Sequence, residues 1–136
     1  MIKYEFTNEV MQYNGHELKR IRRMSDSLLG GWIENEDNLS HKGDCFVYDE
    51  SMVYSNAKIY EDAKIHNSTK VYDNAEIYGK TKIYGKTKVY NNAKVCDNVI
   101  IYGNVKIHGD TVISGNAKIY GNVEIGDNTI IHSKIS

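Results

Sequence analysis

The chain repeats a six-residue pattern from Cys45 to Lys134 without an insertion, and no other feature restricts its fold as strongly. The lines AKIYED, AKIHNS, TKVYDN and AEIYGK, from Ala57 to Lys80, show the plan of each hexad. A small residue is followed by a charge, a β-branched residue, usually an aromatic ring, and two turn-forming residues. All fifteen third positions are Ile or Val. A short period sustained over so many residues predicts a stack of identical structural repeats.

Within each hexad, a two-residue period separates an inner side from an outer side. Side chains alternate across a strand, so the first and third positions share one side and the second and fourth share the other. The first side is small and β-branched, which predicts a core, whereas the second side is rich in Lys and Tyr, which predicts a solvated surface. The last two positions hold residues such as Gly, Asn and Asp, which favour corners. We therefore predict an all-β coil of short strands.

The pattern resembles that of the hexapeptide-repeat left-handed β-helix, a triangular prism with three hexads in each coil. IGDNTI at Ile125–Ile130 has the commonest wording of that family. The resemblance implies a single-stranded, left-handed, parallel β-helix of about five coils, and the left hand comes from the resemblance alone. Hexads three apart should share a face of the prism. We call the faces first, second and third, after the hexads that begin at Cys45, Ser51 and Ala57.

Residues 1–44 lack the repeat and are predicted to form a hairpin and capping segment, followed by the β-helix of residues 45–136. IKYEF and ELKRIRRM are strand-like and flank Asn14-Gly15, a strong hairpin signal. The open end of a repeat stack needs a cover. The apolar residues predicted to plug it are Leu28, Leu29, Trp32, Ile33 and Leu39. Phe46 and Met52 replace the usual Lys in the first coil, which indicates that something lies over them there.

All the arginines fall in one patch beside Lys19, and they are Arg20, Arg22 and Arg23. Clustered guanidinium groups can bind phosphate or an acidic partner. The alternative is the solvated side of a hairpin strand, with the charge balanced by Glu5, Glu9 and Glu17.

Composition and net charge indicate the cellular environment and the classes of partner to expect. The net charge of −1 gives no general attraction to nucleic acid or to a membrane. No apolar run approaches the ~18 residues of a membrane span, and the N-terminus lacks a secretory leader. The two cysteines, Cys45 facing inward and Cys96 facing outward, predict no disulfide. We expect a cytoplasmic protein, in the bacterial host cell if a phage encodes it.

The best-known relatives in the family are acyltransferases, in which a His near a subunit interface activates the acceptor and acyl-CoA lies along the prism wall. The resemblance would then imply an extruded loop and a C-terminal helix, but here no hexad is interrupted and only Ile135 and Ser136 follow the repeat. His66, His108 and His132 occupy fourth positions on three different faces. We therefore expect no catalytic residue, no metal site and no cofactor, with a small acyltransferase that uses acyl-CoA as the alternative.

The outer side carries columns of tyrosines. On the first face these are Tyr48, Tyr84, Tyr102 and Tyr120, and on the second face Tyr54, Tyr72 and Tyr90. One interpretation is structural, since aromatic pairs on neighbouring strands stabilise a sheet. The other is a rigid surface that binds a protein, because Tyr offers a large amphipathic contact area at a small entropic cost. Binding of nucleic acid by these Lys–Tyr rows is not expected without a basic excess.

The second position turns apolar near the C-terminus, at Ile100, Val112 and Ile130. A contiguous apolar patch often marks a contact surface. We therefore expect a homo-oligomer, a dimer in preference to a trimer.

The run LGGWIENEDNLSHKGDCFVYDE, followed by hexads, resembles a group of bacterial, phage and prophage β-helix proteins of poorly defined function. Two hypotheses follow for this chain. The first is a non-enzymatic binding or scaffold protein that presents Tyr and Lys columns to a protein partner, with an inhibitor of a host system as one form. The second is the small acyltransferase.

Overall fold

The computed structural model describes residues 2–132, which are built almost wholly of β-strands. The chain begins with an antiparallel hairpin, β1 (Tyr4–Tyr13) and β2 (His16–Arg23), which turns at Asn14 and Gly15. Strand β3 (Leu29–Ile33) pairs antiparallel with β2 and is followed by a 3₁₀ turn at Glu36–Asn38. This turn is the helical element of residues 2–132, and nothing in that range is a helix long and apolar enough to cross a membrane.

Fifteen short strands follow, and each covers the second and third positions of one hexad. They are β4 (Phe46–Val47), β5 (Met52–Val53), β6 (Lys58–Ile59), β7 (Lys64–Ile65), β8 (Lys70–Val71), β9 (Glu76–Ile77), β10 (Lys82–Ile83), β11 (Lys88–Val89), β12 (Lys94–Val95), β13 (Ile100–Gly103), β14 (Lys106–Ile107), β15 (Val112–Ile113), β16 (Lys118–Gly121), β17 (Glu124–Ile125) and β18 (Ile130–Ile131).

These strands form three parallel sheets, one for each predicted face. The first face is β4-β7-β10-β13-β16, the second contains β5-β8-β11-β14-β17 and the third is β6-β9-β12-β15-β18. Every hexad pairs with the hexad of the same face one coil later, as in Lys82 opposite Ile100 and Ile83 opposite Ile101. The predicted all-β fold, a parallel β-helix with three hexads in each coil, is therefore confirmed.

The corners between faces depend on the fifth position of each hexad, which adopts a positive φ from Asp49 to Asp127. Gly85 shows why glycine recurs there, since a Cβ atom would lie 2.5 Å from the carbonyl oxygen of Gly103. Where the residue is Asp or Asn, its side chain also accepts a hydrogen bond from the backbone one coil later, as Asn67 does from the Gly85 amide at 2.9 Å. The corners thus hold successive coils together as the strands do.

The core fills the prism with the first and third positions of the hexads. From Cys45 to Ile119 all of these side chains are buried. The inward threonines satisfy their hydroxyl groups within the wall, since Thr69 and Thr81 donate to the carbonyl oxygens of His66 and Tyr78 at 2.9 Å each. Among the described side chains, no buried nitrogen or oxygen atom lacks a hydrogen-bond partner, as native interiors require.

The structure has about six turns, so the predicted count of five is too low. The difference lies in the segment before the repeat. Strand β3 pairs in parallel with β5 on the second face, with Trp32 opposite Met52, and Leu39 bridges Ile59 on the third face. Two sides of a further coil therefore precede the first hexad, although their sequence does not follow the pattern.

The N-terminal end of the prism is covered, but partly by other residues than predicted. Ile33 and Leu39 are buried in the main core, where Tyr4 and Ile21 of the hairpin join them. Leu28 and Leu29 were also expected to plug the end, and this is wrong, since they are 39% and 44% exposed. Leu28 precedes β3 and Leu29 is its first residue, so both lie before the chain passes over the core. Phe46 is fully buried, as expected of an outward residue beneath a cover.

Candidate functional site

The aromatic rings of the fourth positions form parallel stacks along the prism. On the second face the ring centroids of Tyr72 and Tyr90 are 5.0 Å apart at an interplanar angle of 2°, and those of Tyr90 and His108 are 5.2 Å apart. The spacing follows from the ~4.8 Å between paired strands. These rings are half-buried. The second face therefore presents flat, fixed aromatic edges to its surroundings.

The first face carries two stacks. Tyr48, His66 and Tyr84 have centroids 4.4 Å and 4.7 Å apart, and Tyr102 and Tyr120 form a separate pair at 5.2 Å. Strands β13 and β16 continue through Tyr and Gly, whereas the neighbouring strands of this face stop after two residues. Tyr102 and Tyr120 are also among the exposed large side chains.

Tyr54 lies in the column of the second face, as predicted, and stacks on Tyr72 at 5.1 Å. Its predicted role as an exposed binding residue is wrong, because only 4% of its surface is accessible. The hairpin curls over the top of this face, so that Tyr13 and His16 contact Tyr54 at centroid distances of 5.9 Å and 4.8 Å. Burial raises the pKa of Tyr54 to about 12. The exposed aromatic surface of the second face therefore begins at Tyr72.

Lysines run beside the aromatic stacks. On the second face Lys70, Lys88 and Lys106 lie directly opposite one another on β8, β11 and β14. The first face has Lys64 opposite Lys82. Together with the rings, these rows place a lysine and an aromatic ring side by side in three successive coils of the second face.

The guanidinium groups of the predicted arginine patch are engaged in contacts within the chain. Arg22 binds Glu5 at 2.8 Å, and Arg23 binds Asp26 at 2.8 Å. Arg20 donates to the Gly30 carbonyl oxygen at 2.8 Å and to Glu50 at 2.9 Å, and its guanidinium lies over the Trp32 ring. All three guanidinium groups thus bind carboxylates of the same chain. Arg20, through Glu50, and Arg23, through the Tyr48 hydroxyl at 3.1 Å, attach the hairpin to the first coils.

The histidines and cysteines lie apart from one another. His66 lies between two tyrosine rings, His108 Nε2 bonds Glu124 at 2.9 Å, and Ser114 Oγ lies 2.6 Å from His132 Nδ1. Over residues 2–132, no three His, Cys, Asp or Glu side chains gather as a metal site would require. Burial raises the pKa of Cys96, which is 9% exposed, so its thiol is poorly suited to act as a nucleophile.

The predicted oligomer residues lie on two faces. Val112 and Ile130 are adjacent on the third face, where β15 pairs with β18, and Ile130 is 76% exposed. Ile100 lies on the first face, opposite Lys82 and Lys118. Near the C-terminal end, Ile119, Val123, Ile125 and Ile131 line a concavity of about 470 Å³.

Two features of the surface escaped the sequence analysis. One is how far the hairpin overhangs the second face, for which Met52 in place of Lys was the available signal, since it packs beside Leu18, Trp32 and Tyr54. The other is a ladder of three amide side chains ending on a carboxylate, along the corner between the second and third faces. Its donor–acceptor distances are 3.3 Å, 3.3 Å and 3.1 Å, and its members are Asn56, Asn74, Asn92 and Asp110. Their spacing of 18 residues was the available signal for this ladder.

Comparison of the chain with protein-family models and with curated protein sequences finds no match. The hexad pattern and the structure built from it are therefore what define this protein: a parallel β-helix of about six turns whose outer walls carry Tyr and Lys columns.

Proposed function

We propose that the protein is a non-enzymatic binding or scaffold protein, and that its first and second faces dock a protein partner. One observation carries this proposal: half-exposed tyrosine rings are held parallel, about one strand spacing apart, beside lysines in the same register. Tyr is enriched in binding surfaces because its ring loses little entropy on contact. A rigid wall also avoids the cost of ordering a loop on binding.

The resemblance of the capping segment to phage and prophage proteins adds a setting to this proposal. Within that setting we propose an inhibitor of a host bacterial system, acting in the cytoplasm of the host cell. A rigid wall suits an inhibitor that blocks the surface of another protein.

We also propose that the protein forms a homo-oligomer. Val112 and Ile130 form an apolar strip on the third face, which is not the face proposed for the partner. A symmetric dimer that buries this strip would leave the first and second faces free. Closed two-fold dimers are the commonest homo-oligomers.

The test is capture of a partner from bacterial lysate on the immobilised protein, with one tyrosine replaced at a time. Tyr90→Ala removes a ring from the second face, and Tyr78→Ala is the matched control, because Tyr78 stacks on Tyr60 of the third face at 4.8 Å. We expect a protein that binds the wild type and the Tyr78 variant but not the Tyr90 variant. Equal capture by all three would contradict the proposal for the second face. Acetyl-CoA turnover by the purified protein would instead favour the acyltransferase alternative.

A further inference from the structure

The lysines of the second face form a row of like charges. Strands β8, β11 and β14 pair in register, so Lys70 lies opposite Lys88 and Lys88 lies opposite Lys106. Paired strands are ~4.8 Å apart, and like charges directly opposite one another destabilise a sheet. The stability of the fold alone does not account for three such residues in succession.

The third face shows that the same repeat can carry a different arrangement of charges. At the same hexad position, Lys58 lies opposite Glu76, and Glu76 lies opposite Lys94. Charges of opposite sign therefore alternate along β6, β9 and β12, the arrangement that stabilises cross-strand pairs. The two faces share the same backbone geometry, so the repeat itself does not require like charges at this position. The lysine row therefore results from the residue types of the second face.

The acidic groups around this row are engaged elsewhere. Glu124, opposite Lys106, bonds His108 at 2.9 Å. At the neighbouring corner Asp73 accepts hydrogen bonds from the backbone and side-chain amides of Asn91 at 3.0 Å and 3.1 Å. The ion pairs found between residues 2 and 132 involve arginines and histidines, and no lysine. The row therefore has no carboxylate partner within the described part of the chain.

We propose that the second face binds an acidic peptide segment of a protein partner, with carboxylates of the segment on Lys70, Lys88 and Lys106. The inference rests on the proposed function and specifies the chemistry of its partner. The rings of Tyr72 and Tyr90 lie beside the row and take the apolar part of the segment. The hairpin limits the site at one end, where Lys70 Nζ lies 5.7 Å from the centre of the Tyr13 ring. Glu124 limits it at the other end by repelling further acidic residues.

The experiment measures the binding of a fluorescein-labelled deca-glutamate peptide to the full-length protein by fluorescence anisotropy. The wild type should bind the peptide, and the affinity should fall as salt is added. Lys88→Glu places an acid in the middle of the row and should weaken binding at least about tenfold. The same change creates the alternating pattern of the third face, so the melting temperature should rise rather than fall. Lys70→Glu is a second variant, so that the result does not depend on the folding of one protein.

Lys94→Glu is the matched control, because it makes the same charge change at the same hexad position on the third face. It places like charges opposite each other at Glu76, so it should lower the melting temperature and leave peptide binding unchanged. Equal loss of binding in the Lys94 and Lys88 variants, or none in the Lys88 and Lys70 variants, would overturn the inference. Binding of a ten-nucleotide oligo-dT as tightly as the peptide would also overturn it, since the surface would then select any polyanion.

The lysate capture separates this inference from the proposed function. A partner that is lost with Tyr90→Ala but retained with Lys88→Glu would overturn the acidic segment alone. A partner retained by both variants would overturn the proposed docking on the second face as well. If neither variant captures the partner and peptide binding is lost as well, both the proposed function and the acidic-segment inference are supported.

Discussion

At the scale of single residues, the two sides of each hexad differ in how much they stabilise the fold. A fully buried Ile or Val contributes roughly 1.5–3 kcal/mol, whereas a stacked cross-strand pair contributes roughly 0.2–1 kcal/mol. Ile83 and Ile101 therefore matter more for folding than the rings of Tyr72 and Tyr90. We therefore expect single replacements of exposed outer residues to leave the protein folded, which makes these residues suitable for functional tests.

His66 should make the stability of the protein depend on pH. Its ring is half-buried between Tyr48 and Tyr84, and this burial, helped by the charges of Lys64 and Lys82 and opposed by that of Asp49, lowers its pKa below the ordinary 6.5. The unfolded chain then binds a proton more readily than the folded protein. Stability is full above pH 6.5 and falls as the pH drops through the lower pKa of the folded state.

His66→Tyr should therefore remove part of the loss of stability between pH 7.5 and pH 5. The measurement is the melting temperature of both proteins across that range, and the difference between their slopes isolates His66 from the other histidines. A variant that loses as much stability as the wild type on acidification would show that His66 does not titrate in this way.

The hexad pattern predicted which side chains point inward and which point outward, because strand geometry is local. It did not predict that Tyr54 is buried, because the cause is a contact with Tyr13 and His16, some 40 residues away in the chain. Covered and open parts of one column share the same sequence pattern. Only the path of the N-terminal hairpin distinguishes them.

At the scale of elements, β3 lies outside the hexad pattern and yet packs closely against the first coil. Strand β3 passes over the first coil with Gly30 and Gly31 against the backbone of the hexads below. A Cβ atom on Gly31 would lie 2.5 Å from the Ser51 carbonyl oxygen and 2.9 Å from Val47. The same oxygen accepts the Trp32 amide at 2.9 Å. The glycines therefore allow an irregular segment to pair with a regular coil.

Gly31→Ala should destabilise the protein by about 1–3 kcal/mol, because the added methyl group meets backbone that cannot move freely. Leu29→Ala is the matched control, since this neighbouring side chain is largely exposed and its loss should change stability little. Urea denaturation of the two variants measures the difference. Similar unfolding midpoints would mean that β3 is not held against the first coil as described.

At the scale of the whole molecule, we propose that the protein self-associates through its C-terminal coils. The strip of Val112 and Ile130 is flat and apolar, and Ser114 beside Val112 is small. Light scattering of the wild type should give the mass of a dimer at micromolar concentration, and the double variant Val112→Lys, Ile130→Lys should give that of a monomer. A monomeric wild type would end the hypothesis, and a dimer unaffected by both changes would place the contact on another surface.

The repeat predicted the architecture of the whole molecule because its hexads carry the same information fifteen times. It did not predict the additional turn, because β3 and Leu39 pair with β5 and β6 through their backbones and do not repeat the side-chain pattern of the hexads. The outward-facing walls were predicted for the same reason, because every hexad repeats the same outward positions. The lysine row of the second face follows from the same rule, because Lys70, Lys88 and Lys106 hold the second positions of hexads three apart. The sequence could not predict which acidic groups bind elsewhere, because a contact such as that of Glu124 with His108 depends on side-chain conformation.

The central claim is that one side of every hexad fills the prism and the other forms its walls. Two adjacent residues test it with one substitution. Ile83 is fully buried in the middle of the prism, whereas Lys82 beside it is exposed. Ile83→Asp places an unpaired charge in the core and should prevent folding. Lys82→Asp should give a protein with the circular dichroism spectrum and cooperative melting of the wild type. Equal loss of folded protein from both changes would contradict the claim.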